Sequence, residues 1–365
     1  MEYKLPYPFL MTAIFVVVLT LILYFSHERY IFSKKLKVSK MVLAFYYCWY
    51  GSPDGPSGRW YHWNHWVMDM RTGRIVKWHS PDRFVKDSRR DIGAIHYPLL
   101  GPYDSNSPQT IRRHLDWARE AGIDGFICSW WGRGSFSDIA LGKILSTAEE
   151  YNSSLKFTIY YESAGLAVKR SYMDVAEDLK YILDKYAKSK VFLKVDGSPV
   201  LFIYDVGVRP ISFWKNVIRA LNDKGYNPVL IADTNDVSYA EVFDGIHIYN
   251  PLGLLLKNRG GKSLSSLYSE MSKNARRLNK IFAATVLPGY DDTAVRDPGK
   301  VLDRENGWIY NVTWNIALSA NPDMIVICSW NEWHEGSEIE PSVEYGFQYI
   351  NLTRHWVEKY KNKRN

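Results

Sequence analysis

The densest chemical signal in the chain is NEWHE, residues 331–335, which follows the apolar run IVICSW directly. It places two glutamates, Glu332 and Glu335, three positions apart. If the backbone turns helically there, both side chains project to one side. Two carboxyls on one side suit the cleavage of a glycosidic bond, because one acid must protonate the leaving oxygen and one base must activate the attacking group. A lone E-x-x-E is usually a solvated loop. The flanking Asn331, His334, Trp330 and Trp333, set where an apolar run ends, argue for a site instead.

Other apolar runs end in the same way. YYESAG puts Glu162 at such an end, where it either pairs with a base or accepts sugar hydroxyls. Tyr204-Asp205 and Tyr249-Asn250 close two more runs, and Trp130-Trp131 closes another. A tryptophan at the mouth of a cleft is a sugar platform, since the C–H faces of a pyranose pack on aromatic faces; one of the Trp130-Trp131 pair can equally serve the core. His62, Asn64 and His65 alternate with Trp60, Trp63 and Trp66, a cluster that fits a lid or a subsite. Aromatic residues make up 15% of the chain, with 14 Trp and 26 Tyr, more than a core needs.

These ends must be positioned by a scaffold, and eight short runs supply the strands. They are Met41–Tyr47, Asp124–Trp130, Lys156–Tyr161, Pro199–Tyr204, Pro228–Ala232, Asp244–Tyr249, Ile281–Leu287 and Met324–Ser329. Their nearly continuous apolar character predicts strands buried on both faces of a parallel sheet. Helical patterns separate most of them. SPQTIRRHLDWAREAG opens on a cap-like Ser107 with Pro108 next and closes at Gly122; the stretches 171–189, 263–279 and 307–320 are also helical in pattern. Alternating strands and helices with about eight strands predict a (β/α)₈ barrel, in which working residues sit where strands end and loops begin. A doubly wound sheet is the alternative, but no Gly-rich phosphate loop follows a strand. The segment between the first two strands is read as a long loop above the barrel mouth.

The chain divides into three parts: 1–25, 26–40 and 41–365. Tyr7–Phe25 carries no charge and is about long enough to span a hydrocarbon core, so it is expected to be an uncleaved single-pass membrane anchor. Residues 26–40 form a basic stalk, and the barrel takes the rest. Lys4 precedes the span while Arg29, Lys34, Lys35, Lys37 and Lys40 follow it, which favours a cytoplasmic barrel; long domains translocate despite such charge, and glycan chemistry favours an extracellular or lumenal one. The net charge of +7 is scattered, with no basic stripe or motif for nucleic acid. Three cysteines, Cys48, Cys128 and Cys328, cannot form a fully paired framework, and no Cys/His spacing suggests zinc. There is no Gly-x-Ser-x-Gly elbow for a serine hydrolase, and nothing calls for a metal or organic cofactor.

The stretches FYYCWYG, YHWNHW, DIGAIHYPLLGPYDS, AGIDGFICSWWG, YYE, FIYD, DGIHIYN, LPGYDDTAVR and SWNEWHEGSEIEP resemble, in order, those of glycoside hydrolase family 99, the endo-α-mannosidases and endo-α-mannanases. The resemblance spans nearly all of the chain after the stalk. It implies a (β/α)₈ barrel that acts inside α-mannose-containing chains with retention of configuration. It also implies a variant of the two-carboxylate scheme. Glu332 removes the proton from the sugar's own 2-hydroxyl, which attacks the anomeric carbon to give a 1,2-anhydro sugar. Glu335 protonates the leaving oxygen and then activates water. The same resemblance places Glu162, Trp130 or Trp131, Tyr204 and Tyr249 in the substrate cleft, joined by Tyr46 or Tyr47. The SWNEW-x-EG-x-x-x-EP pattern and AGIDGF also occur in a related barrel family of polysaccharide-biosynthesis glycosyltransferases, so a membrane-bound transferase is the second reading.

Overall fold

The computed structural model describes residues 35–85 and 88–363. The expected anchor and most of the stalk lie outside them. Among the described residues no helix is long and apolar enough to cross a membrane.

Eight parallel strands close on themselves. They are β1 (Met41–Tyr46), β2 (Gly125–Trp130), β3 (Lys156–Tyr161), β4 (Ser198–Ile203), β5 (Val229–Asp233), β6 (Gly245–His247), β7 (Ile281–Val286) and β8 (Met324–Ile327). Each strand pairs with the next, and β8 returns to pair with β1 through Met41↔Met324 and Ala44↔Ile327. The apolar runs read from sequence are these eight strands, displaced by a residue or two at their ends. Their continuous hydrophobicity reflects two buried faces, one toward the barrel interior and one toward the helices.

Three aspartates just before strands brace the lower end. Asp124, Asp244 and Asp323 each donate a backbone N–H to a carbonyl of the neighbouring strand, at Val42, Leu230 and Phe282. Each carboxylate accepts the N–H of that same residue in return, at 2.8, 3.0 and 2.9 Å. These paired bonds pin the register of β1, β5 and β7 against the following strand.

Among the described residues, seven helices of twelve residues or more cover the barrel: α1 (Pro108–Glu120), α2 (Phe136–Glu150), α3 (Tyr172–Lys185), α4 (Ile211–Asn222), α5 (Lys262–Arg277), α6 (Trp308–Ser319) and α7 (Gln348–Asn362). The Ser107 hydroxyl accepts from Thr110 N–H at the start of α1, as its sequence predicts. Between β5 and β6 the chain makes only a 3₁₀ turn, Val237–Glu241, so the outer layer is thin there.

The segment after β1 is more than a loop. Trp66–Asp69 and Arg74–Trp78 form an antiparallel hairpin, and Arg296–Asp297 adds to it as a third, parallel strand. The exposure of Arg74–Trp78 explains why no buried apolar run announced it.

Candidate active site

Side-chain alternation along the strands decides which residues reach the cleft. Phe45 points inward, packing on Tyr160 and His247 with ring centroids 4.7 and 5.7 Å away. Its neighbour Tyr46 therefore points into the helical layer, where its hydroxyl meets His114 Nδ1 at 2.9 Å. Tyr47 turns back to the mouth and donates to the Tyr249 hydroxyl at 2.6 Å. The same rule sorts the tryptophans. Trp130 is fully buried on the outer side, its indole donating to Asp138 of α2 at 2.8 Å. Trp131 stands at the mouth, 43% exposed, and donates to Ser129 Oγ at 2.9 Å. Its ring needs Gly165, where a Cβ would lie 2.9 Å from the indole. Tyr46 and Trp130 are thus corrected to structural positions, because each belongs to the outward face of its strand.

The loop after β8 carries the acidic pair. Glu332 opens a single 3₁₀ turn, Trp333–Glu335, and accepts the His334 N–H at 3.2 Å. Ser329 Oγ accepts the Glu332 N–H at 2.7 Å. The Asn331 side chain clamps the end of β1: its Oδ1 accepts Tyr47 N–H at 2.7 Å and its amide donates to Tyr47 O at 2.9 Å. Asn331 is wholly buried, so it positions the loop and the Tyr47 backbone from behind the cleft. The tight 3₁₀ turn brings both glutamates to one cavity of about 360 Å³, lined also by Trp49, His62, His65, His334 and Arg296.

The electrostatics of the pair are those of two acids largely withdrawn from solvent, Glu332 more so than Glu335. Burial pushes the Glu332 carboxyl well above its ordinary range, and the Glu335 charge adds to this. Burial also raises Glu335, while Arg296 opposes it from 3.4 Å. Glu335 Oε2 is buried with no hydrogen-bond partner. Arg296 is itself held by Asp292 at 2.6 Å.

Across the mouth, Glu162 accepts from Ser129 Oγ at 2.6 Å. Burial pushes its carboxyl up to about 8, with the charges of Asp233 and Glu335 adding to that and Ser129 opposing it. Ser129 thus links Glu162 to the Trp131 indole. Tyr204 and Tyr249 line a second cavity, of about 860 Å³, with Asn250, Asp205 and Asp233. Its wall includes Thr234, Asp236 and Tyr239 from the connection that lacks a helix. His62 stacks flat on Trp49, centroids 4.3 Å apart and planes within 6°. Asn64 is half-buried in the same segment but is not among the residues lining the smaller cavity.

Three functional candidates escaped the sequence reading. Asp233 ends β5, accepts the N–H groups of Tyr249 and Asp205 at 2.7 and 3.1 Å, and is pushed by burial up to about 6. Its place just after an expected strand was a usable signal. Trp49 lay inside FYYCWYG without a strand end to mark it. Arg296 arrives from the loop after β7, and no local pattern ties it to Glu335. His62 and His65 also meet His334 in space, a grouping that spacing along the chain could not reveal because 272 positions separate His62 from His334.

Residues 37–362 match the family model "Glycosyl hydrolase family 99". A glycoprotein endo-alpha-1,2-mannosidase of Mus musculus is 31% identical over 88% of this chain and 75% of its own length. Its counterpart in Rattus norvegicus is also 31% identical, with the same coverage. The GH99 endo-alpha-mannosidase of Bacteroides thetaiotaomicron superposes with a TM-score of 0.77 at 27% identity, over 90% of this chain and 100% of that one. With the two carboxyls converging at the mouth of a closed barrel, the chain belongs to glycosyl hydrolase family 99 and is a glycoside hydrolase.

Proposed function

We propose that this enzyme cleaves α-mannosidic linkages inside mannose-containing glycans with retention of configuration, through a 1,2-anhydro sugar. The observation that carries the proposal is the convergence of Glu332 and Glu335 on one cavity with both carboxyls raised by burial. The activities named for the mouse, rat and Bacteroides proteins support the choice of sugar and of endo action.

Glu332 is the base for the sugar's 2-hydroxyl, and Glu335 is the acid for the leaving oxygen. The charge on Glu335 raises Glu332, so ionising both carboxyls at once is unfavourable and one proton stays on the pair. Arg296 opposes the rise of Glu335 and so favours its ionised form without sugar. A bound 2-hydroxyl is a donor and needs Glu332 as an acceptor, so binding transfers the proton to Glu335, where the leaving oxygen requires it. The hydroxyl attacks the anomeric carbon of its own ring, so proximity supplies part of the acceleration. The glycosidic bond breaks as its oxygen takes the Glu335 proton. Water activated by Glu335 then opens the anhydro ring at the anomeric carbon, and Glu332 returns the proton to the 2-oxygen. Glu162, Tyr47, Tyr204, Tyr249, Trp131, His62 and His334 are proposed to contact the sugars, with Asn64 at the edge of that set.

The test is incubation with α-mannan and with glucosylated mannose oligosaccharides, followed by NMR of the fresh product. Release of an oligosaccharide that first appears with the α configuration is expected. Release of single mannose units, or a first product with inverted configuration, would overturn the proposal. The charge-free run 7–25 is further proposed to hold the enzyme at a membrane with the barrel on the extracellular or lumenal side. Recovery of the native chain in the soluble fraction after carbonate extraction would contradict this.

A further inference from the structure

His62, His65 and His334 bring one ring nitrogen each to within 4.8 Å of the other two, at the wall of the cleft that Glu332 and Glu335 line. Two of these rings have fixed tautomers. His334 Nδ1 lies 2.6 Å from Gly93 O, and His65 Nδ1 lies 2.8 Å from Trp66 O. A carbonyl oxygen only accepts, so both Nδ1 atoms carry protons and both Nε2 atoms present lone pairs. Backing of this kind is the usual support for a metal-binding imidazole. The third nitrogen, His62 Nδ1, stands 3.4 Å from His334 Nε2. A tetrahedral zinc with bonds of about 2.0–2.1 Å separates its nitrogens by roughly 3.3–3.4 Å, so this edge already has the required length.

His62 adopts a left-handed backbone with φ 60°, a conformation that residues other than glycine hold only when their surroundings impose it. Gly93 lets the two segments meet, since a Cβ there would lie 2.9 Å from His65 Cβ and 3.3 Å from His334 Nδ1. Arg296 opposes a cation here, while the ionised carboxylate of the acidic pair favours one.

We propose that His62, His65 and His334 form a three-imidazole site for a divalent cation of the zinc class, with the fourth position open to the cleft.

The test uses the full chain without a polyhistidine tag, stripped with chelator, titrated with Co²⁺ in the spectrometer and with Zn²⁺ in the calorimeter. One equivalent should bind, with the visible bands of a four-coordinate Co²⁺. His65→Gln and His334→Gln should each weaken binding by about tenfold or more. Their melting temperatures show whether either variant is folded, and one folded variant suffices. Absence of stoichiometric binding up to about 1 mM cation, or unchanged affinity in the folded variants, overturns the proposal. The readout is cation binding, so it stands whether or not the mannosidase reading survives.

Discussion

Four glutamates lie within nine residues of one another, and the fold divides them into two pairs with opposite environments. Glu332 and Glu335 face the cleft with few partners. Glu338 and Glu340 face the protein and are heavily bonded. Glu338 accepts from Arg304 at 2.7 Å and meets His96 at 2.8 Å. Arg304 is sandwiched between the rings of Tyr345 and Tyr349, at 4.7 and 4.5 Å. Glu340 accepts from Tyr103 at 2.8 Å and meets His114 at 3.0 Å, and His114 in turn holds Tyr46. Burial acts on Glu332 and Glu338 alike. At Glu338 it is outweighed by Arg304 and His96, which hold the carboxyl below its ordinary range. At Glu332 burial wins, and the carboxyl is raised. The same side chain in the same stretch is therefore an anchor where close partners outweigh burial, as at Glu338, and a poised acid where burial outweighs them, as at Glu332.

The comparison breaks most sharply if the two pairs are interchangeable under substitution. Glu332→Gln and Glu335→Gln should each lower kcat by about 10²–10⁴-fold with the melting temperature unchanged or raised. Glu338→Gln and Glu340→Gln should retain turnover in the folded fraction and lose thermal stability. Paired initial-rate and melting measurements decide this.

Removing the cation from the anchoring pair is the next largest effect. Arg304→Met leaves buried Glu338 with His96 as its remaining partner, and should cost on the order of 3 kcal/mol in urea unfolding. Loss of turnover in folded protein, without loss of stability, would count against its structural role.

The pH dependence sharpens the contrast because the signs differ. Glu338 has a depressed carboxyl, so its contribution to stability is present above the unfolded value, about 4.3, and fades as pH falls. Glu162 is raised from 4.5 to about 8, so ionising it destabilises the folded state progressively as pH climbs between those values. The melting temperature of Glu162→Gln relative to wild type should therefore rise from pH 5 to pH 8, by an amount equivalent to roughly 1–3 kcal/mol. A constant difference over that range would remove the buried-acid account of Glu162.

The smallest effect is expected where an aromatic face meets sugar. Trp131→Ala should raise KM by about threefold to tenfold and leave kcat nearly unchanged. A fall in kcat with KM unchanged would place Trp131 in the reaction rather than in binding.

Much of this was legible in the residues. Each of the eight strands announced itself because a barrel strand buries both faces and tolerates little polarity. Glu162 was legible because it follows a strand directly, and Glu332 and Glu335 because they lie in the loop into which the last strand runs. The choices between Tyr46 and Tyr47 and between Trp130 and Trp131 stayed open only because alternation was not carried through. Trp130 pairs in register with Tyr161, so with Glu162 facing the cleft, Tyr161 and Trp130 must both face away. The hairpin after β1 was not legible because its strands are exposed. Helices α2, α4 and α7 were not singled out. Arg296 and the three-histidine grouping depend on loops that meet only in the folded chain.

The most direct measurement compares an α-mannoside substrate with its analogue in which the 2-hydroxyl of the reacting sugar is replaced by hydrogen. If Glu332 recruits that hydroxyl as the nucleophile, the analogue should turn over at least about 10³-fold more slowly, although a 2-deoxy sugar is intrinsically the more reactive. Comparable turnover of the two would contradict the account, because the enzyme would then be cleaving the bond without the group that Glu332 is placed to activate.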